Sequence, residues 1–223
     1  MRKEWPTIDL VVPKESLPDG YTWKLLNEID VPIVVEKLRQ WYPDIIVGLE
    51  SRHLSEDFYR KNFSFKEETD TNKDYLGTVL WHSGTIVGLL TFERNTLQGT
   101  LNCPMGALAH DHRGAGILYC GQAMLELMGR AIGAEMVFFT PTLKHPHQQI
   151  VAEKMGYKLV GIVPAHDRDM VQKGISKRVF EAVYVKVLVD NDDLFLPKRK
   201  SLTPQTQKLW DYLFGDSDWS LRD

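Results

Sequence analysis

The most restrictive stretch of this sequence is Arg113-Gly114-Ala115-Gly116, a glycine-rich turn that joins a β-rich run to a long apolar segment. The run before it, Thr100 to Ala109, carries Pro104 and Gly106 inside it. Proline cannot donate to a ladder, so this run reads as an edge, a bulge or a place where pairing stops. After the turn, apolar residues keep helical spacing to about Ile132, with Gln122, Glu126 and Arg130 as a single polar stripe. Gly133 ends that helix. A strand leading through a glycine turn into a helix is an anion site. The first helical turn has unsatisfied N–H groups and the positive end of the dipole. Glycines let the backbone close around a phosphate. The N–H groups from Gly114 to Leu118 are expected to share one concavity, with Arg113 adding a charge. The turn lacks the Gly-Lys-Ser/Thr ending of a P-loop and the three glycines of a dinucleotide fingerprint.

Around this centre the periodicity predicts a mixed, mostly antiparallel α/β (α+β) sheet with helices on both faces. Tyr21 to Leu26 reads as a first strand. Asp30 is a plausible N-cap, with Pro32 in the first turn, for a helix to about Trp41. A second helix runs from Ser55 to about Asn62. Two β-rich runs, Tyr75 to Trp81 and Thr85 to Glu93, flank His82-Ser83-Gly84 as a hairpin. Met136 to Thr140 lacks alternation, the mark of a central buried strand. A helix follows Pro146 to about Met155, then strands at Tyr157 to Val163 and Arg178 to Val189. Residues 1–19 hold Pro6, Pro13 and Pro18 and read as an extended arm; 20–189 form the domain; 190–223 form a tail with a helix from Thr203 to Phe214.

Composition narrows the function classes. The 223 residues carry 27 basic and 30 acidic side chains, a net charge of -3, which does not favour a general affinity for nucleic acid. The two cysteines, Cys103 and Cys120, are too few for a disulfide framework. Met1 to Pro6 has basic residues with no apolar run behind them, unlike a secretory signal. No apolar stretch reaches the roughly 18 residues of a membrane span. A cytoplasmic protein without a membrane partner is the expectation.

Leu108-Ala109-His110-Asp111-His112-Arg113-Gly114-Ala115-Gly116-Ile117 resembles the acyl-CoA-binding motif of the GNAT superfamily of N-acyltransferases, Arg/Gln-x-x-Gly-x-Gly/Ala after a strand. Glu153-Lys154-Met155-Gly156-Tyr157 is similar to the family's Glu-Lys-Leu-Gly-Phe helix ending. The resemblance spans about residues 20 to 190. It implies acetyl-CoA or another acyl-CoA as co-substrate and a primary amine of a small molecule or peptide as acceptor. No metal is expected, since no Cys pairing or His-Glu-x-x-His spacing is present, and a homodimer is an expected assembly. By this resemblance the pantetheine arm lies along the backbone of Ala107, Leu108 and Ala109. The pyrophosphate lies on Arg113, Gly114, Ala115, Gly116, Ile117 and Leu118, and a backbone N–H near Leu108 meets the acyl carbonyl. Three positions depart from the family pattern. Leu118 replaces a small residue, His145 replaces the Asn that often begins the next helix, and Ala152 replaces the Tyr that often protonates the thiolate.

With that Tyr missing, the candidate catalytic groups are His145 and His147, beside the end of the central strand, and Glu93, at the end of a hairpin strand. The opposing reading pairs Glu93 with Arg94, caps the helix with His147 and packs His145 on Pro146. Cys103 is an acyl-accepting nucleophile or a small buried hydrophobe. His110 and His112 suit a phosphate turn better than a metal. Other thioester chemistry, such as malonyl decarboxylation, longer-chain transfer or transfer from an acyl-carrier protein, and a non-catalytic acyl-CoA-sensing module remain as alternatives.

Overall fold

The computed structural model describes residues 4–13, 17–65, 73–114 and 116–221. In chain order its main elements are β1 (Tyr21–Leu25), α1 (Val31–Trp41), α2 (Glu56–Asn62), β2 (Phe63–Ser64) and β3 (Tyr75–His82). Then come β4 (Thr85–Asn95), β5 (Thr100–Asn102), β6 (Gly106–Leu108), α3 (Ile117–Ile132) and β7 (Met136–Phe139). The chain continues through α4 (His147–Lys154), β8 (Lys158–Gln172), β9 (Ile175–Val187) and α5 (Pro204–Phe214). The strands form one sheet in the order β1-β3-β4-β5-β7-β9-β8, with β2 on β3 and β6 on β4. All its pairs are antiparallel except β5–β7 and β2–β3. The mixed sheet expected from periodicity is present.

Two apolar layers sandwich the sheet. On one face α1 turns Val31, Val34, Val35 and Leu38 onto Val79, Leu89, Met105 and Ala107, with Tyr59 and Phe63 beside them. On the other face α3 places Cys120, Met124, Leu125 and Met128 over Leu90, Phe92, Leu101 and Val137. Burying each of these larger aliphatic chains contributes about 1.5–3 kcal/mol. Gly133, in the left-handed conformation, closes α3, and Ala134 N–H returns to Gly129 O at 2.8 Å. Gln122, expected on a polar stripe, is buried, while Glu126 takes Arg130 and Lys186.

Several expectations change. Asp30 makes no side-chain cap; it ends a 3-10 turn, Glu28–Asp30, that runs straight into α1. The described part of the N-terminal stretch is not extended throughout. A 3-10 turn at Ile8–Leu10 delivers Val11, fully buried, into the α3 layer. The strand expected to stop at Val163 runs to Gln172, so β8 and β9 form a long hairpin with Gly174 in its turn. In the tail, α5 is capped by the Thr203 side chain and folds Trp210 and Phe214 onto Trp219, whose ring lies under Lys158. Among the described residues no helix is long and apolar enough to cross a membrane.

The β8–β9 hairpin also carries the loop between α1 and α2, a 3-10 segment at Leu49–Leu54. Leu49 N–H donates to Asp167 Oδ2 at 2.9 Å. Gly48 makes this approach, at φ +81°, and an added Cβ there would lie 2.2 Å from Arg168 O. Gly48→Ala therefore combines backbone strain with a backbone clash. It is expected to lower unfolding stability by about 1–3 kcal/mol, read as a lower urea midpoint; an unchanged midpoint contradicts this docking.

Candidate active site

The site begins where the sheet splits. β5 lies between β4 and β7, with Asn102 opposite Phe138. After Cys103-Pro104-Met105 the chain resumes as β6, which pairs only with β4, while β7 goes on along β9. Glu93 faces Asn102 but Leu90 faces Gly106, so one extra residue is accommodated between the two short strands. That is a bulge, and Pro104, with no N–H to offer, sits in it. The result is a gap between β6 and the end of β7. A cavity of about 70 Å³ occupies it, lined by Cys103, Pro104, Gly106, Phe139 and Thr140 with Leu118 of α3.

Pairing decides which backbone groups face this gap. Ala109 N–H donates to Val87 O at 2.8 Å and Thr91 N–H to Met105 O at 2.9 Å. The register Leu89↔Ala107 lies between these bonded pairs, so Ala107 also directs its backbone to β4. Of the three expected strand positions, Leu108 alone turns its N–H and C=O away from β4, and Gly106, not anticipated, does the same. Leu108 N–H donates to the Tyr42 hydroxyl at 3.2 Å, and that hydroxyl donates to Leu108 O at 3.4 Å. Tyr42 follows α1 directly, as its C-terminal cap.

The turn follows directly. A 3-10 turn at His110–His112 leads to Gly114 at φ +89° and Gly116 at φ +76°, and α3 starts at Ile117. Both glycines occupy the left-handed region that other residues avoid. Arg113 N–H is spent on His110 O at 3.2 Å, which removes it from the expected anion-binding set. Among the described residues, the N–H groups of Gly114, Gly116, Ile117 and Leu118 have no acceptor; Ala115 lies outside the described residues. The Arg113 side chain is exposed. Its Nε donates to Leu108 O at 3.3 Å and its guanidinium lies 4.9 Å from the Tyr42 ring centre. His112 does not turn into the concavity, because its Nδ1 is bonded to the Tyr21 hydroxyl at 2.7 Å. His110 is exposed beside Asp111.

The catalytic candidates are scattered. His145 and His147 stand at the start of α4 with rings 5.3 Å apart, both exposed. Among the described residues neither ring nitrogen has a hydrogen-bond partner, and the N-cap of α4 is Pro146, not His147. Ala152 is fully buried in the α3 layer. Glu93 faces the α1–α2 layer, where Arg52 lies 3.8 Å from it and also 3.8 Å from Glu50. Glu93 does not pair with Arg94, which points to the opposite face and bonds Asp74 at 3.2 Å. Tyr75, beside Glu93, has its hydroxyl pushed well above the usual range, first by burial and then by the neighbouring Glu93 carboxylate. The Cys103 thiol is pushed up to about 12 by burial, so it stays protonated at neutral pH and is a poor nucleophile.

Two groups had no sequence signal strong enough to place them. His53 is fully buried, with Nδ1 3.1 Å from the Tyr59 hydroxyl and Nε2 3.2 Å from Glu50 Oε2. Burial holds it below the ordinary histidine range. The segment Leu49 to Leu54 has no helical or strand period to announce it. His166 bonds Glu181 on β9 through Nδ1 at 2.8 Å.

No protein-family model matches the chain, and no curated protein matches it. Solved structures do. The spermidine/spermine N-acetyltransferase SpeG from Vibrio cholerae is 14% identical, with 76% of this chain and 95% of that one covered and a TM-score of 0.58. RimL, a ribosomal L7/L12 alpha-N-protein acetyltransferase, is 11% identical, with 79% and 96% covered and a TM-score of 0.55. SpeG in a dodecameric intermediate state is 13% identical, with 76% and 95% covered and a TM-score of 0.56. At such identities the likeness is one of architecture, and it agrees with the split sheet and the glycine turn: the chain has the fold of the GNAT N-acetyltransferases.

Proposed function

We propose that this chain transfers an acyl group, most simply acetyl, from acyl-CoA to a primary amine of a small molecule or peptide. The observation that carries this reading is the continuity of the gap with the turn. A slot between β6 and β7, edged by the backbone of Gly106 and Leu108, leads to the unpaired N–H groups at the start of α3. A pantetheine arm takes the place of the missing strand in such a slot. A pyrophosphate is held by N–H groups at a helix start without a basic patch. The fold neighbours act on spermidine or on a protein α-amine, which supports an amine as acceptor.

The chemistry asks little of the protein beyond placement. The amine must be neutral, the carbonyl polarised and the two held together. Gly106 N–H and Leu108 N–H both turn away from β4 on the gap side, and the second is shared with Tyr42. The dodecameric neighbour supports self-association of this chain, in a dimer or a larger assembly.

Arg113→Gln is expected to weaken acetyl-CoA binding by about tenfold, the scale of one charge-assisted contact, as measured by calorimetry. An unchanged Kd removes Arg113 from the binding site. For the activity itself, acetyl-CoA is incubated with a panel of spermidine, a lysine-bearing peptide and a free α-amine peptide. The expected outcome is free thiol released in step with a product heavier by one acetyl group. Binding without turnover across that panel favours a sensing module, and loss of carbon dioxide from malonyl-CoA without acceptor favours decarboxylation.

A further inference from the structure

The hairpin β8–β9 contains a pronounced local distortion. Val163 faces Glu181, but the next paired residue is Asp167, facing Val179. Four steps along β8 are thus matched by two along β9. The slack is taken up at Ala165, which adopts φ +54°, a left-handed conformation that alanine avoids. Its effect is to aim His166 back across the hairpin, so that Nδ1 lies 2.8 Å from Glu181 Oε2. Bulges that re-aim a side chain in this way concentrate beside active sites.

The pair lies next to the gap. After β7 leaves β5, the chain stays bound to β9. Ala182 N–H donates to Pro141 O at 3.1 Å, Leu143 N–H donates to Phe180 O at 3.0 Å, and Thr142 bridges Glu181. Thr140 and Pro141 line the cavity, and Pro141 is the residue whose carbonyl takes the N–H of Ala182, next to Glu181. The cavity wall at Pro141 is thus tied to β9 beside Glu181, and Glu181 in turn holds His166. On the far side, Asp167 receives the Leu49 N–H of the loop between α1 and α2. Glu181 is almost wholly buried, whereas the His166 side chain is 39% exposed. With Nδ1 donating to the carboxylate, Nε2 keeps its lone pair, and among the described residues it has no partner.

We propose that His166, oriented by Glu181, is the group that takes the proton from the acceptor amine, in place of His145 and His147. This rests on the acyltransferase reading above. In the step, the amine nitrogen forms a C–N bond to the thioester carbonyl carbon. The C–S bond breaks, and CoA departs with the electron pair as thiolate. The proton lost by the nitrogen passes to His166 Nε2, and the imidazolium is balanced by Glu181. The charged groups around the pair are Asp167 on β8, Arg178 on β9, whose Nη1 lies 3.5 Å from His166 O, and the Lys144–Asp169 ion pair one step along the hairpin. Burial pushes the Glu181 carboxyl above its usual range, and the neighbouring Thr140 side chain and the bonded His166 oppose this.

The test uses the full chain, acetyl-CoA and the amine of the panel that the wild type acetylates fastest. His166→Ala and His166→Gln are each expected to lower kcat by at least about tenfold with little change in the KM for acetyl-CoA. Both are also expected to lose the acid limb of the kcat/KM profile against pH. The glutamine keeps a donor for Glu181 but has no basic nitrogen, so restored activity in His166→Gln assigns a structural role and overturns the proposal. Added imidazole is expected to restore part of the activity of His166→Ala. Wild-type kcat and pH profile in both variants overturn the role of His166 while leaving the acyltransferase reading in place. No turnover of any panel amine by the wild type overturns that reading, and the role of His166 falls with it.

Discussion

The structure depends on one pairing failure. β4 is continuous, but the strand beside it is not, because Cys103-Pro104-Met105 inserts one extra residue and removes one N–H. Up to Asn102 the sheet is closed, and beyond it β6 and β7 part. Without that break the two halves of the sheet would pair throughout, leaving neither an edge for an extended ligand nor a passage between the two apolar layers. The surrounding core makes the break affordable. Met105 and Ala107 are anchored in the α1 layer, and Leu101, Val137 and Phe139 in the α3 layer, so both sides of the gap are held.

The two faces of the gap differ in chemistry. Toward α3 lie the glycine turn and unpaired N–H groups, a setting for an anion that needs no basic patch. This agrees with a chain of net charge -3. Toward the loop between α1 and α2 lie Glu50, Arg52, His53, Glu93 and Tyr75, a network of carboxylates, cations and hydroxyls. Tyr42 and Arg113 sit at the end of β6, where both hold the Leu108 backbone.

What the sequence disclosed was local. The α3 helix, its Gly133 stop, the hairpin of β3 and β4 and the interruption at Pro104 follow from periodicity and from residues with special backbones, and each is where it was expected. What it withheld depended on register. Ala107 and Ala109 were indistinguishable from Leu108 until the pairing with β4 showed which groups face the gap. The second half of β8 was hidden because Ala165-His166-Asp167-Arg168-Asp169 is polar and bulged, so no period of two survives. His145 and His147 attracted attention by their neighbours in sequence, yet they stand exposed, while His166 is brought to Glu181 from fifteen residues away.

The central claim is that the gap and the turn form one site for acyl-CoA. Residue-resolved amide hydrogen exchange, with and without acetyl-CoA, tests it most directly. The account predicts exchange slowed by about tenfold or more at Gly106, Gly114 and Gly116 together, with the exposed amides of the β8–β9 turn unchanged. Exchange at those three glycines that is unaffected by millimolar acetyl-CoA would contradict it.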